Sequence, residues 1–174
     1  LPNDAPSFAD LAALQAGRAE YMSGLLDAAR RRLESLAVSA GGHGFRDIHG
    51  KALWLLGLIE SLEKSPLAAL ERFSAARVDF TTNRDVESVA AIETMLGDAW
   101  EELGEQERAW EHRALSLSLS GQTPRRAVAL VAAGEDVLES WPRAAEELAD
   151  EAEFVGARQG PAGIGDAIAQ IRVR

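Results

Sequence analysis

The run Leu96-Gly97-Asp98-Ala99-Trp100-Glu101-Glu102-Leu103-Gly104-Glu105-Gln106-Glu107-Arg108-Ala109-Trp110 reads as the end of one helix, a break at Gly104 and the start of a second. Leu96, Ala99, Trp100 and Leu103 recur at the spacing that fills one helical face, and Ala109, Arg113 and Ser116 continue a stripe on the next helix. Gly97 and Ala109 are small, and small residues let two helices cross with axes about 8–10 Å apart.

Outward from this stretch the same signs repeat. Gly17, Gly57 and Gly97 stand 40 residues apart, and twelve residues after each comes alanine: Ala29, Ala69 and Ala109. Four residues further sit Leu33, Phe73 and Arg113, and three beyond those Leu36, Ala76 and Ser116. Gly134 continues the series after 37 residues, followed by Ala145, Ala149 and Ala152 with one residue deleted. A period of this size, with small residues fixed at a helix crossing, marks a helical solenoid. Composition agrees, because the chain is rich in the helix formers Ala, Leu, Glu and Arg and poor in β-branched residues. The expected class is all-α, with residues 1–174 forming one solenoid of about four antiparallel helix pairs at 7–38, 47–80, 86–119 and 124–158. Residues 161–174 then begin a further or capping helix.

Local signals place the breaks. Ser7, with Asp10 three residues on, makes a capping box, and Ser65-Pro66, Thr123-Pro124 and Pro142 are helix starts. Gly160-Pro161-Ala162-Gly163 is the last break. Residues 39–50, with four glycines and two histidines, read as an interhelical linker that the glycines keep irregular. His43, Asp47 and His49 lie in that segment without a metal-binding frame, so no metal is expected there. Arg30-Arg31-Arg32 reads as a solvated helix face opposite Asp27 and Glu34 on the same helix.

Several classes are disfavoured. The chain has no cysteine, hence no disulfide or thiolate site, and no apolar run nears the roughly 20 residues that span a bilayer. Leu1-Pro2-Asn3-Asp4 has neither the basic start nor the apolar core of a signal peptide, and the missing initiator Met reads as a processed or excised chain. A cytoplasmic protein with no membrane attachment is expected. Net charge is −10; residues 1–84 balance, whereas residues 85–154 carry −12. Phosphate binding needs clustered Lys and Arg, so nucleic acid is not an expected partner. The acidic half reads either as a solubilising surface or as a match for a basic partner. The three histidines have no nucleophile and orienting acid arranged around them, so neither catalysis nor a cofactor is expected.

The pattern resembles the tetratricopeptide repeat (TPR) family. Leu56-Gly57, Ala69, Phe73 and Ala76 match the family's Leu-Gly, Ala, Phe and Ala positions. Leu96-Gly97, Trp100, Gly104 and Ala109 match in the third unit, and Gly17, Gly24 and Ala29 in the first. Ala16 and Arg113 depart from it, and no proline closes the second unit at Thr81. The 40-residue unit, read as one with lengthened connections, looks most like bacterial TPR arrays fused to signalling or caspase-like CHAT peptidase domains.

The resemblance implies a right-handed superhelical solenoid whose first helices line a concave groove. Carried over by register, the groove positions are Leu14, Arg18, Tyr21 and Met22; Lys51, Trp54, Leu58 and Leu62; Thr94, Asp98, Glu101 and Glu102; and Val131, Glu135, Leu138 and Glu139. The first half is apolar and aromatic, the second acidic. Trp54 reads either as an anchor beside Leu58 and Tyr21 or as packing between units; Trp100 and Trp110 read as core. The implied function is a protein–protein interaction module that takes a peptide or helix carrying apolar and basic residues. A regulatory or sensor arm of a larger signalling or CHAT-peptidase-type protein is the alternative. Uncapped solenoid ends leave apolar surface open to self-association.

Overall fold

The computed structural model describes residues 6–121, 124–159 and 164–173. Those residues form nine α-helices: α1 (Phe8–Met22), α2 (Leu26–His43), α3 (Arg46–Leu62), α4 (Pro66–Thr82), α5 (Val86–Glu102), α6 (Gln106–Leu119), α7 (Pro124–Val137), α8 (Pro142–Gln159) and α9 (Ile164–Val173). Each odd helix packs along the even helix that follows it, and each even helix packs on the next odd one, which is the antiparallel order of a solenoid. Helix α9 closes against α7 and α8. Among the described residues no helix is long and apolar enough to cross a membrane.

The period is written in the backbone as well as in the side chains. Positive φ occurs at Gly24, Gly44, Lys64, Arg84 and Gly104, one left-handed residue every 20 positions. Each helix with its turn is therefore a 20-residue module, and two modules make the 40-residue unit. Helices α3, α4 and α5 are 17 residues each, and the turns between them take only three. The unit is long because its helices are long, not because its connections are. Helix α6 has 14 residues, and the next left-handed residue, Gly121, comes early. That is where the glycine spacing drops from 40 to 37.

The expected linker at 39–50 is mostly helix. Helix α2 runs on through Gly41 and Gly42 to His43, and α3 starts at Arg46. Only Gly44, left-handed at φ 74°, and Phe45 connect them. Two helical glycines there do not break the chain because α2 is held from the side: Leu36, Ala37 and Ala40 are buried. In the arginine run Arg31 and Arg32 are exposed, as read, but the partners differ. Arg30 reaches Glu60 and Glu63 of α3, and Arg32 reaches Glu20 of α1 at 2.7 Å, so the partners lie on neighbouring helices. The hydrogen bond to Glu60 raises the Arg30 pKa, against the opposing effect of its partial burial.

Helix starts follow their signals. Ser7 and Asp10 form the capping box, with Asp10 N–H donating to Ser7 Oγ at 3.1 Å and Ser7 N–H to Asp10 Oδ2 at 3.0 Å. The Ser7 hydroxyl also donates to Asp10 Oδ2 at 2.7 Å, and this bond, followed by that from Ser7 N–H, holds the Asp10 carboxyl below its usual pKa. Ser65 occupies the N-cap position of α4 without a side-chain hydrogen bond, and Pro66 opens the helix. Thr123, the break at 160–163 and the stretch Leu1–Asp4 lie outside the described residues.

The spaced glycines are the contact points within each pair. A Cβ on Gly17 would lie 2.8 Å from Leu33 Cδ2, and one on Gly57 would lie 2.4 Å from Phe73 Cε1. On Gly97 it would meet Arg113 Cγ at 3.1 Å. Ala29, Ala69, Ala109 and Ala145 are wholly buried beside these crossings. In the fourth unit the position of Phe73 is taken by Ala149, and Ile171 of α9 fills in: its Cδ1 would be 3.0 Å from a Cβ on Gly134. Among the described residues the buried apolar side chains gather into two clusters, one from α1 to α5 and one from α7 to α9, with Trp110 and Leu117 of α6 packed on the second.

Two glycine substitutions separate contact from propensity. Gly57→Ala should cost about 1–3 kcal/mol, because the buried Phe73 ring has nowhere to move. Gly42→Ala, with open space around it in the same kind of helix, should stabilise by about 0.5–1 kcal/mol. Urea denaturation of the two variants checks the contrast. Arg84, exposed and held at φ 59°, carries a left-handed strain that glycine relieves. Arg84→Gly should raise the denaturation midpoint by the equivalent of about 0.5–1 kcal/mol.

Candidate functional site

The odd helices α1, α3, α5 and α7 carry the candidate surface in register. Arg18, Leu58, Asp98 and Glu135 occupy one position of successive units, and Met22, Leu62, Glu102 and Glu139 another, four residues on. These two ladders run along neighbouring turns of each helix, since i and i+4 share a face. In the first ladder Arg18, Asp98 and Glu135 are exposed and Leu58 half-buried; in the second all four are exposed, Met22 at 74% and Leu62 at 59%. The surface thus changes from apolar to acidic along the solenoid.

The aromatic part is more deeply set than an open anchor. Tyr21, Trp54 and Leu58 are half-buried and pack on the first core cluster. The Trp54 ring stands edge-on to Phe80 of α4, with centroids 6.0 Å apart and planes at 81°. Its indole N–H is buried and has no hydrogen-bond acceptor among the described residues. Trp54 forms part of the floor, while Met22 and Leu62 stand clear of it. Lys51 is paired with Asp47 at 2.8 Å on its own helix.

The acidic part is largely paired within the chain. Asp98 and Glu101 both take Arg113 Nη2, at 3.3 and 2.5 Å, and Glu102 takes Lys64 Nζ at 3.0 Å. Arg113 is only 5% exposed and stands where Phe73 stands one unit earlier. Its aliphatic stem packs over Gly97, and its guanidinium emerges between the two carboxylates. Thr94 faces inward instead, 2.9 Å from Ser116 Oγ, and Val131 is buried. The register therefore gathers Asp98 with Glu101, and leaves Thr94, Val131 and the buried Leu14 out of the surface.

A second polar group was not singled out in the sequence. Glu93 on α5 is 1% exposed and takes Arg77 of α4 at 3.2 Å and His112 Nδ1 of α6 at 2.6 Å. Asp79 on α4 is likewise buried against His49 Nδ1 at 2.5 Å and Arg46 at 3.4 Å. His43 lies against the Phe45 ring, centroids 5.6 Å apart, so the three residues His43, Asp47 and His49 do not converge. The available signal was Arg113 itself: a charge in an apolar slot demands acids one helix earlier, and Asp98 and Glu101 are there. Glu93 had the weaker signal of an acid on the inward stripe of α5. Trp100 and Trp110 are half-buried, and the Arg108 guanidinium carbon lies 4.5 Å from the Trp100 ring centroid.

No protein-family model matches the chain, and no curated protein matches it by sequence. Solved structures do match by shape. One is a Podosopora anserina protein described as a putative kinesin light chain with nearly identical TPR-like repeats, at TM-score 0.72 and 13% identity. The match covers 93% of this chain and 84% of that one. The fold is a TPR-like solenoid. A point-substituted form of the same Podosopora anserina protein aligns with TM-score 0.69 and 12% identity, over 93% of this chain and 92% of that one. Identity this low carries the fold alone, so the TPR-like architecture stands on helix order and packing.

The buried arginine of this TPR-like fold makes a sharp test. Arg113→Ala removes packing over Gly97 and the ion pairs to the exposed Asp98 and Glu101, and should cost about 2–4 kcal/mol. Arg113→Met keeps the stem volume and should cost less than half as much, as read by thermal and urea unfolding.

Proposed function

We propose that the protein is a protein–protein interaction module that binds a peptide or helical segment along its odd-helix surface, without catalysis. The observation that carries this reading is the pair of register ladders, exposed and apolar at Met22 and Leu62, exposed and acidic at Glu102 and Glu139. A segment with apolar anchors at one end and basic residues at the other fits that order. Its apolar end removes Met22 and Leu62 from water, and the floor of Tyr21, Trp54 and Leu58 gives it a surface that is already packed. Its basic end meets Glu135 and Glu139 directly and competes with Arg113 and Lys64 for the other acids. Charge there sets orientation and encounter rate more than affinity.

Selection of a displayed random peptide library on the full chain tests the reading. Enriched peptides should combine apolar and basic residues, and the double variant Met22→Ser with Leu62→Ser should weaken them by about tenfold or more. Trp54→Phe keeps the contact with Phe80 and removes the unpaired N–H, so it should change stability by less than about 1 kcal/mol. Peptides that bind the double variant as well as the parent would place the contact on the even helices.

A further proposal concerns the N-terminal end, where Phe8 is 87% exposed and Leu11 lies beside it on the outer face of α1. We propose that this face supports self-association. Light scattering across concentration should show mass rising in the parent and not in Phe8→Ser with Leu11→Ser.

A further inference from the structure

The joints between successive helix pairs share a register position, occupied by residues 30, 70 and 110. At the first joint it is filled by Arg30, whose guanidinium is held by Glu60 and Glu63 of the next pair. At the second it is Leu70, buried in the cluster on which Trp100 and Leu103 pack. At the third it is Trp110, and there the joint stays open. A hollow of about 340 Å³ lies between α6 and α8, with Trp110 and Trp141 as walls, Val137, Ala144 and Leu148 as an apolar floor and Glu147 at the edge. None of the odd-helix groove residues lines it.

Two features of this hollow call for a cation. The Trp141 side is 65% exposed, and among the described residues no side chain stacks on its ring. Glu147 is exposed and makes no ion pair among the described residues, whereas Glu151, also on the lining, holds Arg126 at 2.5 Å. The chain already uses the matching chemistry elsewhere. Arg108 sits over the Trp100 ring, and an arginine fills this register position at the first joint between two glutamates. A planar guanidinium can stack on an indole face and pair with a carboxylate in its own plane, which an ammonium cannot. The surrounding stretch, residues 85–154, carries −12, which draws basic segments toward it.

We propose that the hollow is a docking site for an arginine side chain of a partner protein, its guanidinium stacked on Trp141 and paired with Glu147. The apolar floor takes the side-chain methylenes. This contact lies on the turn before α8 and on α8 itself, apart from the odd-helix surface, so it binds a different part of a partner or a different partner.

Titration of the full chain with a short end-capped arginine peptide, followed by tryptophan fluorescence and calorimetry, tests it. Trp141→Ala and Glu147→Gln should each weaken binding by about tenfold, and Trp141→Phe should retain most of it. Glu71→Gln, an exposed acid on α4 away from the joint, should leave affinity within about twofold. Helicity by circular dichroism confirms that each variant is folded. Lysine and citrulline peptides of the same length should bind more weakly than the arginine peptide. No saturable binding by the parent, unchanged affinity in Trp141→Ala, equal loss in Glu71→Gln, or lysine binding as tight as arginine would each overturn the assignment.

Discussion

Each helix pair depends on one close approach, where a residue without a side chain lets the partner helix lay its own side chain across the backbone. Gly17 under Leu33, Gly57 under Phe73 and Gly97 under Arg113 are the same crossing built with three different covers. The alanine four residues before each cover is fully buried, because the second backbone comes in just as tightly. The fourth unit shows how the constraint is met when the cover is lost: Ala149 leaves space over Gly134, and α9 supplies Ile171 to fill it. The last helix is thus a packing element of the fourth pair.

The third unit meets the same constraint with charge. Arg113 spreads over Gly97 as an apolar stem and ends between Asp98 and Glu101. Glu93, more deeply buried, is satisfied by Arg77 and His112 from the helices on either side. Buried ion pairs of this kind add little net stability over an apolar core, since desolvation offsets much of the attraction. Breaking one partner is costly, however, so they penalise any other register between α4, α5 and α6.

Much of the architecture was legible from the glycine and alanine spacing, because close helix crossing admits almost no other residues. The turns were less so. Gly24 and Gly104 announce left-handed positions, but Lys64 and Arg84 hold the same conformation and look like ordinary surface residues. The glycines of 39–50 misled in the opposite sense: Gly41 and Gly42 sit inside α2, where burial of Leu36, Ala37 and Ala40 outweighs their poor helix propensity. The surface residues could be placed in register, which needs only the period. Their pairing could not, because Lys64 and Glu102 are 38 residues apart and meet only once the turns are known. Trp141 gave no periodic signal at all; it lies at a turn, and the hollow beside it exists only through the meeting of α6 and α8.

The two apolar clusters have a mechanical consequence. They are separated by the polar layer of α5 and α6, and α6 packs on α7 far more thinly than α2 does on α3 or α4 on α5. In a linear array, stability propagates only through nearest-neighbour joints, so a thin joint divides the molecule into two cooperative blocks. The shortening of α6 sits at that boundary. Slow hydrogen exchange should persist in α2 to α5 after α7 to α9 have opened, and any ligand that bridges Trp110 and Trp141 would weld the two blocks into one.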